Sequence, residues 1–100
     1  VKMYLKIHNV RGKKIVAACD KDLIGKIISD GNVTLDLNRY ASFYKGDIAS
    51  DSALAKELKS FDSANLVGKK VVSVVVSVGL VKQSNVTYIN DIPHIQLYKL

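Results

Sequence analysis

The stretch Val1-Lys2-Met3-Tyr4-Leu5-Lys6-Ile7-His8-Asn9 decides the fold class. Val1, Met3, Leu5 and Ile7 alternate with Lys2, Tyr4, Lys6 and His8, which is the period of a half-buried strand. Val10-Arg11-Gly12-Lys13 then reads as a hairpin turn, with Gly12 supplying a positive φ. Lys14 to Cys19 returns as a second strand. Asp20 is placed to cap a short helix whose Leu23, Ile24, Ile27 and Ile28 share one face, with Gly31 ending it. Asn32 to Asn38 alternates again, with Val33, Leu35 and Leu37 inward.

Further along, Asp51 is a plausible cap for a helix with Leu54, Leu58 and Phe61 at helical spacing. The seam Val67, Val71, Val74, Val75, Val78 predicts a second helix from about Asn65 to Val78, stopped by Gly79. Valine's strand preference argues the other way, and the length and regularity of the seam decide for helix. Asn85 to Asn90 and His94 to Leu100 read as strands separated by a turn at Asp91-Ile92-Pro93. The expectation is a single α+β domain over residues 1–100: a mostly antiparallel sheet of about five strands, with two main helices and one short helix packed on it.

Composition bounds the function. The chain has 100 residues, 48% apolar and 24% charged, enough for a core without staples. A lone Cys19 forms no internal bridge and suits a reducing compartment. No signal peptide is visible, and the longest apolar run, Val71 to Val81, is about half a membrane span. A cytoplasmic protein is expected, with no membrane partner, and the glycosylation-like Asn32-Val33-Thr34 and Asn85-Val86-Thr87 are then chance matches. The formal charge of +6, with Glu57 as the only glutamate, favours polyanions such as nucleic acid or a ribonucleoprotein. The plain alternative is a lysine-rich solvated surface.

The first strand supplies Lys2, Tyr4, Lys6 and His8 to the face opposite its apolar residues. On the last strand His94, Gln96 and Tyr98 alternate with Ile95 and Leu97. If both strands share a sheet, one face carries cations, phenol rings and imidazoles, the equipment with which single-stranded RNA is stacked and held. Arg11, Lys13 and Lys14 extend the positive field at the hairpin. The partners this predicts are RNA or a ribosomal particle, and the function an RNA- or ribonucleoprotein-binding module associated with translation. The competing expectation is that helices cover this face.

Catalytic readings are thinner. Cys19 before a helix N-terminus can have a lowered pKa and His94 can serve as its base, giving a small hydrolase or transferase with Asp20. Against this, cysteine is among the most buried residue types, and Asp20 reads equally as a helix cap. No pair among His8, His94, Cys19 and Asp20 has metal-ligand spacing, so no metal or other cofactor is expected. Gly68-Lys69-Lys70 lacks the rest of a Walker loop. Backbone N–H groups near Gly68 can still hold a phosphate at a helix start, unless the glycine is there for close packing.

Four short signatures tie these pieces together: Cys19-Asp20 with Leu23 and Gly25; Phe43-Tyr44-Lys45-Gly46; Ser63-Ala64-Asn65-Leu66-Val67-Gly68; and Ile92-Pro93-His94-Ile95-Gln96. In this order and spacing the chain resembles an archaeal family known as domain of unknown function 424, over nearly its whole length. The resemblance implies an archaeal cytoplasmic α+β protein with no assigned activity. It also implies polar site candidates at Cys19, Asp20, Tyr44, Asn65 and His94, with Asp20, Asn65 and His94 as a shared cluster. Arg39 and Lys45 stand in a region that is more acidic in the family, and Asn90-Asp91 where a glycine is more usual.

Overall fold

A computed structural model describes residues 2–99; Val1 and Leu100, assigned by pattern to the first and last strands, lie outside the described residues. Strand β1 (Met3–Val10) turns through Arg11 and Gly12, at φ 53° and 76°, into β2 (Lys13–Asp20). Two consecutive left-handed residues make the tight hairpin turn that matches strand twist. The ladder runs unbroken from Val10↔Lys13 to Met3↔Asp20. Four consecutive residues of β2, Val16, Ala17, Ala18 and Cys19, have no exposed surface. A strand covered on both faces needs small or compact residues throughout, and that is what this segment offers.

The short helix expected after Asp20 does not form. Lys21–Leu23 is a single 3-10 turn, Gly25 at φ 92° redirects the chain, and β3 (Ile27–Asp30) pairs with β4 (Val33–Asp36) around Gly31. Apolar positions 23, 24, 27 and 28 suit a helix face, but isoleucine prefers strands and an interior glycine costs a helix about 1 kcal/mol. Only Leu23 and Ile28 are buried, and Ile27 is exposed. In β4 Leu35 packs inward, as does Leu37 just beyond it, but Val33 is exposed at the hairpin tip.

A four-residue helix α1 (Ala41–Tyr44) leads to the short β5 (Asp47–Ala49), then α2 (Asp51–Glu57). The cap of α2 is Ser50 rather than Asp51: its hydroxyl accepts from the Ala53 N–H at 3.1 Å, while Asp51 is the first helical residue. Leu54, Leu58 and Phe61 do face the core.

The expected helix from Asn65 divides in two. Ser63–Val67 is a central strand, β6, and Lys69–Ser77 is the helix α3. Gly68 at φ 108° separates them, a conformation no helix interior accepts. The valines of α3 remain helical because Val71, Val72, Val74 and Val75 are buried against the sheet, and packing overrides propensity. After a 3-10 turn at Gln83–Asn85, β7 (Thr87–Ile89) and β8 (Ile92–Tyr98) form a hairpin. Its turn is Asn90-Asp91, at φ 47° and 65°, one residue earlier than Asp91-Ile92-Pro93. Asn and Asp tolerate the left-handed region best after glycine, so the pair replaces the usual glycine without difficulty.

The main sheet has six strands in the order β5-β1-β2-β6-β8-β7, and β3-β4 is a separate ribbon. It is mixed rather than purely antiparallel, because β2 and β6 run parallel from Ile15↔Ser63 to Cys19↔Val67. On one face α2 and α3 close a core over Met3, Val16, Ala18, Leu66 and Ile95. On the other, the β3-β4 ribbon and α1 cover Ala17, Cys19 and Val67. That second face, for which the sequence left both an open surface and cover by helices as alternatives, is covered in part. The first and last strands share the sheet but do not adjoin, since β2 and β6 stand between them.

Candidate functional site

Register fixes which side chains can meet. On the face opposite α2 and α3, one row runs Tyr4, Cys19, Val67, His94; the next Lys6, Ala17, Asn65, Gln96; the third His8, Ile15, Ser63, Tyr98. The β1 ends of the second and third rows are committed to α1. Lys6 Nζ donates to the Ser42 carbonyl at 2.7 Å, and His8 Nε2 lies 2.8 Å from the Phe43 carbonyl. The His8 and Phe43 rings stack with centroids 4.6 Å apart. Tyr4 is half-buried and Lys2 exposed. Lys14 points to the other side of the sheet, where it pairs with Glu57 at 3.0 Å. Of the cationic and aromatic candidates, Lys2, Arg11, Lys13 and Tyr98 are exposed, and the last three border a hollow of about 670 Å³ at the end of the sheet together with Lys99 and the carboxylate of Asp62.

The β8 ends of the first two rows enclose a different space. A cavity of about 440 Å³ lies between β4, α1 and the sheet, with Asn65, His94 and Gln96 on its floor. Tyr40, Phe43 and Tyr44 form its aromatic wall. Asp36 sets the wall: its carboxylate accepts from the N–H groups of Asn38 and Arg39, at 3.1 and 2.8 Å, turning the chain into α1. The Arg39 guanidinium then sits 5.4 Å from the Tyr40 ring centroid, a cation at the rim. Gln96 Nε2 donates to Asn65 Oδ1 at 3.1 Å. Burial lowers the His94 pKa, so the imidazole is held neutral, with one ring nitrogen a donor and the other an acceptor. Burial first, and the neighbouring Cys19 second, push the Tyr44 hydroxyl up to about 12, so it stays a donor. A second hollow, about 730 Å³, reaches His94 and Gln96 from beyond the edge of β8.

Cys19 and Asp20 serve the fold. The Cys19 thiol is fully buried, donates to the Asp20 carbonyl, and is pushed up to about 12 by burial and then by Asp20 and Asp22. In its row it is separated from His94 by Val67, two strand spacings or roughly 10 Å, too far for a proton relay. Asp20 points to the opposite face from His94, so the cluster of Asp20, Asn65 and His94 is not brought together. Asp20 caps a helix, but not the one following it. Its two oxygens accept from the N–H groups of Lys70 and Val71, both at 3.0 Å, at the start of α3. The phosphate cradle was read one step earlier, at Val67-Gly68-Lys69; there the Gly68 N–H donates to the Pro93 carbonyl at 2.9 Å, and the next donors of the same helix start hold the chain's own carboxylate. Burial raises the Asp20 pKa against the pull of these two hydrogen bonds. Among the described residues no group of three or more His, Cys, Asp or Glu is placed to hold a metal.

Tyr40, Asp36 and Lys99 were not singled out from the sequence. Tyr40, Phe43 and Tyr44 lie one helical turn apart, and that aromatic spacing beside the family-like Phe43-Tyr44 was the available signal.

The chain belongs to the family described as protein of unknown function (DUF424), whose profile matches residues 8–100. No curated protein matches it. Its fold is similar to that in the crystal structure of an uncharacterized conserved protein from Methanopyrus kandleri. The TM-score is 0.83 at 26% identity, over 98% of this chain and 91% of that one. Among the described residues, no helix is long and apolar enough to cross a membrane.

Proposed function

We propose that the protein binds single-stranded RNA, free or within a ribonucleoprotein such as a ribosomal particle, along the exposed part of β8. The observation that carries this reading is the alignment of His94, Gln96 and Tyr98 on one face. It leads from the aromatic cavity to the basic hollow at Arg11, Lys13 and Lys99. The run from residue 94 to 98 spans about 13 Å, room for two or three splayed bases with phosphates meeting the cations at its end. Tyr98 and Tyr40, both more than half exposed, are ring faces that water solvates poorly and bases stack on well.

Hydrolase or transferase chemistry is less well supported. It would have to use His94 without the Cys19 thiol, whose burial and distance remove it as a partner. Sedimentation of cell extract tests the binding reading: the protein is expected in the ribosomal or RNA-bearing fractions and should leave them after ribonuclease treatment. A protein found only at the top of the gradient, at low salt, contradicts it.

A further inference from the structure

The floor of the aromatic cavity carries two side-chain amides joined by a single hydrogen bond, Gln96 Nε2 to Asn65 Oδ1 at 3.1 Å. The bond uses one carbonyl and one amino group. It leaves the amino group of Asn65 and the carbonyl of Gln96 without a partner among the described residues. Exchanging oxygen and nitrogen in both amides gives the same result, one free donor beside one free acceptor. The pair is held by register, since Asn65 and Gln96 face each other across β6 and β8. An aromatic wall of Tyr40, Phe43 and Tyr44 stands over it.

The geometry points to a nucleobase site in which the Asn65–Gln96 pair hydrogen-bonds the edge of an unstacked base. Every base presents a donor beside an acceptor on one edge (adenine N6–H and N1 or N7, cytosine N4–H and N3, uracil N3–H and O4, guanine N1–H and O6), so the pair accepts all four. The volume of about 440 Å³ admits a base against the ring wall while the sugar and phosphate stay outside. This inference deepens the RNA reading above and rests on its cavity.

One substitution inverts the chemistry without altering the shape. In Gln96→Glu the carboxylate accepts from the Asn65 amino group, and the free groups become two acceptors. That edge suits guanine, which presents two adjacent donors, N1–H and the 2-amino group. Gln96 is exposed, so the change leaves the fold intact.

The test is titration of the whole protein with AMP, GMP, CMP and UMP, followed by NMR of the Asn65 and Gln96 side-chain amide signals. Each nucleotide should shift both signals in the wild type, and Gln96→Glu should bind GMP about fivefold or more tightly than the other three. If no nucleotide moves either signal, or Gln96→Glu shows no preference for GMP, the inference is overturned. RNA binding that persists in that case leaves the wider reading standing. Base selectivity without RNA binding removes the wider reading and keeps the site.

Discussion

The Asp20 carboxylate occupies the space that a side chain at Gly68 would need. A Cβ placed on Gly68 would lie 2.3 Å from Asp20 Cγ and 2.6 Å from both its oxygens. The glycine also sits at φ 108°, where other residues are strained. Together these two positions join the end of β2 to the start of α3, and two family signatures far apart in sequence become one structural joint. The joint ties the strand carrying Cys19 to the helix that closes the core.

Gly68→Ala should therefore destabilise the protein by about 3 kcal/mol or more, from strain and from displacement of a buried carboxylate. Asp20→Ala alone should cost about 1–3 kcal/mol, since two helix N–H groups lose their acceptor. The double variant should cost clearly less than the sum, because removing the carboxylate relieves the clash. Chemical denaturation of the four proteins measures the coupling, and strictly additive losses would deny the contact.

Much of this joint was out of reach of pattern reading. The alternation in Met3–Ile7, the Arg11-Gly12 turn and the α2 face were legible because each depends on neighbours in sequence. The Ile27-Ile28 segment was not, since its apolar spacing fits a helix and a strand alike and a partner strand decided it. Asn65 to Val67 looked helical because Leu66 and Val67, buried on opposite faces of the sheet, break the period of two and run on into the valine seam. The cavity needed the placement of α1 over the sheet, which no local signal announces. One part could have been read further: if Cys19 faces one way, period two sends Asp20 the other.

His94 predicts a pH dependence. Its folded pKa lies below the ordinary value of 6.5 because burial disfavours the charged ring. The folded state thus binds fewer protons than the unfolded chain in this range. The contribution of neutral His94 is present above 6.5 and is lost as pH falls through its lowered folded value. Between about pH 7.5 and 5, wild type should lose unfolding free energy relative to His94→Gln. Parallel curves for the two proteins would show that the ring is not desolvated.

Cys19 should behave as a structural thiol. With its pKa near 12 and no exposure, the folded protein should react with a thiol reagent at pH 8 at least about 100-fold more slowly than the denatured chain. Cys19→Ser, which buries a hydroxyl, should cost about 1–3 kcal/mol. Rapid labelling of folded protein near pH 6 would instead reveal a thiolate and reopen the catalytic reading.

Lys13 and Lys14 separate the faces of the sheet most directly, being adjacent in sequence but pointing to opposite sides. Lys13 borders the basic hollow near Tyr98, and Lys14 is engaged with Glu57. The decisive measurement is the affinity for single-stranded RNA as a function of salt, for wild type, Lys13→Ala and Lys14→Ala. Wild type should lose affinity steeply with salt, with a log–log slope near −0.7 for each phosphate contacted. Lys13→Ala should weaken binding and make the slope shallower by about 0.7, while Lys14→Ala leaves both unchanged. Binding that is absent at low salt, insensitive to salt, or equally weakened by the two substitutions would contradict the account.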